Sequence, residues 1–361
     1  MPRPDRILMG PGPGNPYPEA IEAFLRPMLG HLDPAFLGLL DDVCDQLRTV
    51  FRTENALTIP ISGTGSAGME TCIVNVLGPG DVAVIGVNGV FGARMCDVAS
   101  RTGAEVVRVD FDWGTPVVAD RLLDAHPSPT LIGMVHAETS TGARSDVEPV
   151  AAGKGDALLL VDCVTSLGGI PFEADAWGID LAYSGTQKCL GVPPGLSPIT
   201  VSDRARDRFV ERSQSWYLDL RMIGSYVGTA GAKRTYHHTA PISMIYSLHG
   251  GLTALLDEGL EAVQARHAEC GQLLQDGLVE LGFELFATEG HRLPELTTVV
   301  VPDGIDEAAV RATLLERYGI EIGGGLGDYA GKVWRVGCMG HTARPRNVTL
   351  LLGALREVLG R

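Results

Sequence analysis

Short apolar runs separated by stretches of helical period dominate the hydropathy pattern of this chain. Residues 56–62, 81–87, 105–109, 131–135, 157–161 and 181–184 are runs of mostly aliphatic side chains. Runs of this kind suit strands covered on both faces, whereas a half-exposed strand would alternate apolar and polar positions. The segment after Gly65, residues 91–101 and a piece between residues 135 and 157 carry helical spacing instead. This β-α-β-α order predicts an α/β fold, a mostly parallel sheet sandwiched by helices.

The flanks read differently. Gly10-Pro-Gly-Pro-Gly-Asn-Pro16 cannot be helix or regular strand, and is read as an ordered arm leading to a helix over residues 18–25. Asp33-Pro34 supplies an N-cap and a first-turn proline for a second helix to about Phe51. One long helical stretch is expected over residues 242–281, followed by a strand at 297–301, a helix at 307–317, a strand at 333–336 and a terminal helix from 346. The expected division is an N-terminal arm (1–17), a large domain (18–258) and a small C-terminal α+β domain (259–361).

Composition narrows the function classes. A net charge of −15 argues against a general nucleic-acid or anionic-membrane surface, which needs clustered Lys and Arg. No long uncharged apolar stretch predicts a membrane span, and proline and glycine near the N-terminus interrupt any signal-peptide core. The seven cysteines are odd in number and widely spaced, so neither a disulfide framework nor a Cys-x-x-Cys metal site is indicated. A cytosolic compartment is the expectation.

Gly63-Thr64-Gly65-Ser66-Ala67-Gly68 fits G-x-G-x-x-G between a strand and a helix. A nicotinamide site should also carry an acid at the end of the next strand, but that strand ends Gly86-Val87-Asn88-Gly89. The Walker pattern fails as well, because Met69-Glu70 follow Gly68. What survives is a helix N-terminus able to hold a phosphate, with hydroxyls of Thr64 and Ser66 as further donors, or else a plain tight turn.

Lys188 is one of four lysines and closes Leu181-Ala-Tyr-Ser-Gly-Thr-Gln-Lys188 just past an apolar run. Lys154, Lys233 and Lys332 lie in settings suited to solvated ammonium groups. A desolvated lysine becomes nucleophilic near neutral pH and suits Schiff-base chemistry with a carbonyl. Asp162 ends the apolar run Leu158-Leu-Leu-Val-Asp162, at the sheet edge where open α/β folds place ligands. A carboxylate there could keep a pyridine nitrogen protonated, turning the ring into an electron sink, or could simply cap a turn.

Phe91 could stack on such a ring or belong to the core. Arg335, in Val333-Trp-Arg-Val-Gly337, lies among apolar neighbours and should meet a carboxylate, whether of the protein or of a ligand. In Tyr236-His-His-Thr239 the paired histidines, read as strand neighbours, face opposite ways, so no metal site is expected. The hydroxyls of Tyr236 and Thr239 are candidate phosphate donors.

Together these residues resemble the class V, fold-type I aminotransferases dependent on pyridoxal phosphate, in the alanine–glyoxylate and serine–glyoxylate (serine–pyruvate) branch. The resemblance rests on Tyr183-Ser-Gly-Thr-Gln-Lys-Cys-Leu-Gly-Val-Pro-Pro-Gly195, Val161-Asp-Cys-Val-Thr-Ser-Leu-Gly-Gly169, Tyr236-His-His-Thr-Ala-Pro241, Glu321-Ile-Gly-Gly-Gly-Leu-Gly327 and Trp334-Arg-Val-Gly337. It implies a mostly parallel seven-stranded sheet in the large domain. It also implies ping-pong transfer of an amino group from alanine or serine to glyoxylate or pyruvate. Lys188 would carry the cofactor covalently and Asp162 would pair with its ring nitrogen. Gly65 and Ser66 with Gln187 would hold the phosphate, Thr139 would face the ring hydroxyl, and Val164 and Phe91 would sandwich the ring.

Arg335 would take the substrate carboxylate. Tyr236 and Thr239 would reach the phosphate of a neighbouring subunit, making a homodimer with shared sites. Phe91 stands where the branch usually has Trp, Ser66 where His is common, and Thr64 and Thr186 replace serines. These departures leave the amino donor open. The rivals are a transaminase for another amine, such as an aminophosphonate or pyridoxamine, a lyase or desulfurase of the same fold, and a non-catalytic or nicotinamide-binding protein suggested by G-x-G-x-x-G.

Overall fold

The computed structural model describes residues 5–228 and 234–361; Lys233 lies outside them. Its main sheet has seven strands: β1 (Leu57–Ser62), β2 (Val82–Val87), β3 (Glu105–Asp110), β4 (Leu131–Val135), β5 (Leu158–Asp162), β6 (Leu181–Tyr183) and β7 (Leu196–Val201). They lie in the order β1-β7-β6-β5-β4-β2-β3, and only β7 runs antiparallel to its neighbours. Every residue of β4, β5, β6 and β7 is buried, and β4, β5 and β6 accordingly read as nearly continuous apolar runs.

Sequence reading passed over β7 because Leu-Ser-Pro-Ile-Thr-Val carries a proline and two hydroxyls. Pro198 is tolerated because it faces Pro60 of β1, so both missing donors fall on one rung. A helix at Leu220–Val227, capped by the Asp219 side chain, was also missed.

Four helices flank the first half: α1 (Pro18–Phe24), α2 (Pro34–Phe51), α3 (Gly65–Val74) and α4 (Val90–Ser100). Asp33 caps α2 as expected, accepting the Ala35 N–H at 2.8 Å. The stretch expected as one helix over residues 242–281 is two, α5 (Ile242–Glu258) and α6 (Leu260–Glu280). Gly259, at φ 91°, breaks it, because that conformation cannot continue a right-handed helix. Hydropathy alone reads through the break, since apolar spacing resumes on its far side.

The small sheet contains β8 (Glu284–Leu285), β9 (Leu296–Val300), β10 (Gly323–Gly324) and β11 (Val333–Gly337), antiparallel in the order β8-β9-β11-β10. Helices α6, α7 (Glu307–Tyr318) and α8 (Pro345–Leu359) cover it, with Trp334, Leu274, Leu314 and Leu351 in their shared core. The N-terminal arm joins this unit: Ile7–Leu8 pairs in parallel with Ile320–Glu321, and Met9 enters the same core. From there the arm runs back to the edge of the main sheet. Among the described residues, no helix is long and apolar enough to cross a membrane.

Candidate active site

Asp162 is the last residue of β5 and sits in register with Tyr183 of β6. Its Oδ1 accepts the Val164 N–H at 2.9 Å and its Oδ2 the Tyr183 hydroxyl at 2.7 Å. Burial pushes the carboxyl up to about 6, and the two donors work against that shift.

Lys188 follows β6 on the same sheet edge and is only 8% exposed. Burial, reinforced by the Arg335 charge, lowers its amine to about 8, while Cys189 and Asp162 oppose the shift. Its Nζ donates to the carbonyl oxygen of Pro11 in the N-terminal arm. Gly12, at φ 99°, lies so close that a Cβ there would collide with the end of the Lys188 side chain. The arm therefore packs directly over the amine.

The glycine-rich turn has a structural cause for each glycine. Gly63 adopts φ 132°, a Cβ on Gly65 would stand 2.9 Å from Val164 Cγ2, and one on Gly68 would overlap the Ser197 hydroxyl. Helix α3 is thereby drawn tightly onto the sheet, with its N-terminus beside Val164. Among the described residues, the N–H groups of Gly65 and Ser66 have no partner, so they could hold an anion. Thr64 makes no side-chain cap bond, and the amide oxygen of Gln187 is buried without a partner.

Ser66 Oγ accepts from Arg94 at 3.2 Å, and the Arg94 guanidinium lies 4.9 Å from the centre of the Phe91 ring. Thr139 and Thr165 share a hydroxyl–hydroxyl hydrogen bond.

Arg335 is 7% exposed and donates from Nε to the Gly324 carbonyl at 2.8 Å and from Nη1 to the Thr139 carbonyl at 3.3 Å. Among the described residues no carboxylate lies within ion-pair distance of it. Burial lowers its pKa to about 10, with Glu138 opposing, so it stays cationic at neutral pH. Of the two possibilities open in the sequence, an internal ion pair is absent. The guanidinium is left with capacity for an outside carboxylate.

Glu138 is the residue sequence reasoning missed. It is fully buried and accepts from Phe91 N at 3.1 Å and from Ser140 N and Oγ at 3.0 and 2.6 Å. The signal was an acid three residues past the apolar run Leu131–Val135, where an unpaired charge is costly.

Tyr236 and Thr239 are not brought to this site within one chain. Tyr236 is 59% exposed, its hydroxyl is 3.5 Å from Thr239 Oγ1, and neither bonds Thr64, Gly65, Ser66 or Gln187 among the described residues. The expectation that His237 and His238 face apart is overturned. The segment is not a strand, and their Nδ1 atoms meet at 2.7 Å.

The family described as Aminotransferase class-V matches residues 25–333. An alanine–glyoxylate aminotransferase of Callithrix jacchus is 40% identical over 99% of this chain and 88% of that protein. An (S)-ureidoglycine–glyoxylate transaminase of Bacillus subtilis (strain 168) is 36% identical over 99% and 91%. Among solved structures, an alanine–glyoxylate aminotransferase from Nostoc sp. superposes with a TM-score of 0.96 at 47% identity, covering 99% of this chain and 96% of that one. A matched family over most of the chain, and relatives alike from end to end, make this chain a member of the class-V aminotransferase family and an aminotransferase.

Proposed function

We propose that this aminotransferase uses pyridoxal 5'-phosphate to move an amino group from a small amino acid, alanine or serine, to glyoxylate or pyruvate. The observation that carries the reading is a buried amine lowered to about 8, Lys188, beside a buried guanidinium without an ion-pair partner, Arg335. One group handles a carbonyl and a proton; the other is free to select a carboxylate. Alanine and glyoxylate are named in the relatives, which include alanine–glyoxylate aminotransferases from several animals, whereas serine and pyruvate come from the sequence resemblance.

The residues fit the cofactor. The unpartnered N–H groups of Gly65 and Ser66 offer a polar cradle for a phosphate, with the Thr64 and Ser66 hydroxyls beside it and the side-chain NH₂ of Gln187 as a further donor. Asp162 offers a buried carboxylate for a ring nitrogen, Thr139 a hydroxyl, and Val164 and Phe91 apolar faces. When bound, pyridoxal phosphate supplies a carbonyl for the amino group and a protonated ring that takes up an electron pair.

The chain's own residues do the rest. Lys188, part neutral near pH 7, accepts a proton from a substrate's α-carbon and returns one, a general acid–base role. Arg335 holds the α-carboxylate with two parallel donors and so orients that carbon. The N-terminal arm, with Pro11 against the lysine, excludes water from the amine.

A homodimer with shared sites is part of the proposal. Leu25, Met28, Leu32 and Tyr236 are exposed on one face, where the His31 ring lies 5.3 Å from that of Tyr236. An apolar face of this kind is suited to a second copy, whose Tyr236 and Thr239 would then complete the phosphate cradle. The cytosolic placement rests on seven unpaired thiols.

The test is to add alanine, serine, (S)-ureidoglycine, an aminophosphonate and pyridoxamine, one at a time, to the purified holoenzyme and follow the cofactor's absorbance. Loss of the carbonyl form with alanine or serine, restored by glyoxylate, is the expected result. Conversion by the other amines alone, or release of ammonia or sulfide without a keto acid, would replace the reading.

A further inference from the structure

Tyr183 is one of the largest fully buried side chains in the protein, and its hydroxyl is spent on a single partner, Asp162 Oδ2 at 2.7 Å. Strand register puts the two residues side by side on β5 and β6. The Val164 N–H takes the other oxygen, Oδ1, at 2.9 Å. Each carboxylate oxygen therefore has one fixed donor and retains a further lone pair. A tyrosine kept for packing alone could have met a backbone carbonyl.

The surroundings set a conflict that the hydroxyl resolves. Burial disfavours a charge on Asp162, and Glu138 across the site disfavours it further. Lys188 favours the anion, but less strongly than the hydrogen bonds from Tyr183 and Val164. The thiols of Cys72 on α3 and of adjacent Cys163 are pushed up by burial and by Asp162, so they stay neutral and add no second negative charge beside the carboxylate. The Tyr183 phenol is itself held well above its ordinary range, and remains a donor rather than a second anion.

We propose that Tyr183 is a positioning residue for transamination: its hydroxyl keeps Asp162 ionised and turned toward the ring nitrogen of the bound cofactor, an inference that rests on the function proposed above.

The experiment compares wild type with Tyr183→Phe, which removes only the hydroxyl. In the cofactor-free full chain with isotope-labelled aspartate, the infrared carboxyl band assigned to Asp162, by its loss in Asp162→Asn, is titrated. Loss of one bond to a charged acceptor should raise the midpoint by about one to two pH units. The dissociation constant for pyridoxal phosphate should weaken about 10- to 100-fold. With an analogue carrying carbon in place of the ring nitrogen, the two proteins should bind within about twofold of one another.

An unchanged midpoint and affinity, or a defect of the same size with the carbon analogue, overturns the inference. Should Tyr183→Phe not fold, a ring-fluorinated tyrosine at Tyr183, a stronger donor, must lower the midpoint instead; no shift overturns it. If wild type binds no pyridoxal phosphate, the proposed function fails, and the infrared comparison alone decides whether Tyr183 keeps Asp162 ionised.

Discussion

The carboxylate of Glu138 accepts the backbone N–H of Phe91 at 3.1 Å, so a fully buried acid anchors the start of helix α4 where that ring is presented. All of its assigned hydrogen bonds come from donors. Glu138→Gln would turn an amide NH₂ toward one of them. The expected cost is about 1–3 kcal/mol in urea unfolding of the cofactor-free protein, with weaker cofactor binding as Phe91 loses its anchor. A change under about 0.5 kcal/mol would mean that the acid is not needed there.

Lys188→Ala removes the buried amine proposed to carry both a covalent link and a proton. Turnover should fall by at least about 10² to 10⁴-fold, and borohydride should no longer fix the cofactor to the chain. Near-normal activity with retained covalent attachment would exclude this lysine.

Arg335→Lys keeps the charge but loses the planar fork. Each bond to a charged partner is worth roughly 1.5–3 kcal/mol, so KM for the amino acid should rise about 10- to 100-fold. Cofactor affinity should be unchanged. Steady-state kinetics with an unaltered KM would remove Arg335 from substrate binding.

Burial lowers the Lys188 amine from 10.5 to about 8. The neutral, reactive form therefore predominates above that value and declines below it. Covalent capture of pyridoxal phosphate by the cofactor-free protein should rise about tenfold per pH unit below pH 8 and level off above it. Stopped-flow absorbance measures this directly. A rate still climbing near pH 10 would indicate a solvated lysine.

Glu295 is fully buried, neither carboxylate oxygen has a hydrogen-bond partner among the described residues, and burial pushes its pKa from 4.5 up to about 8. The folded state holds this proton more tightly than the unfolded chain, so the associated stability is present below pH 4.5 and lost as pH rises through about 8. Glu295→Gln should melt close to wild type at pH 5 and above it at pH 9. Parallel Tm curves across that range would show that the group does not titrate there.

Much of this was legible in one dimension. Continuous apolar runs report strands buried on both faces, and helical spacing between them reports crossover connections. An acid or a lysine just beyond such a run marks the ligand edge of the sheet. Asp162, Lys188 and the turn at Gly65 could therefore be found from spacing alone, and their combination from resemblance to a family. These are local patterns, and hydropathy carries local information.

The rest depended on which distant segments touch. Strand β7 was hidden because its proline is harmless only opposite Pro60, and the break at Gly259 because apolar spacing continues on both sides of it. The sequence by itself determined the fold class and the chemical types at the sheet edge. Only the tertiary structure decided that Tyr183 and Val164 hold Asp162, that Glu138 anchors Phe91, that Pro11 covers Lys188 and that Arg335 has no counterion among the described residues. The physical reason is that a hydrogen bond or a desolvated charge is specified by register and packing between elements far apart in the chain, whereas periodicity is specified by neighbours.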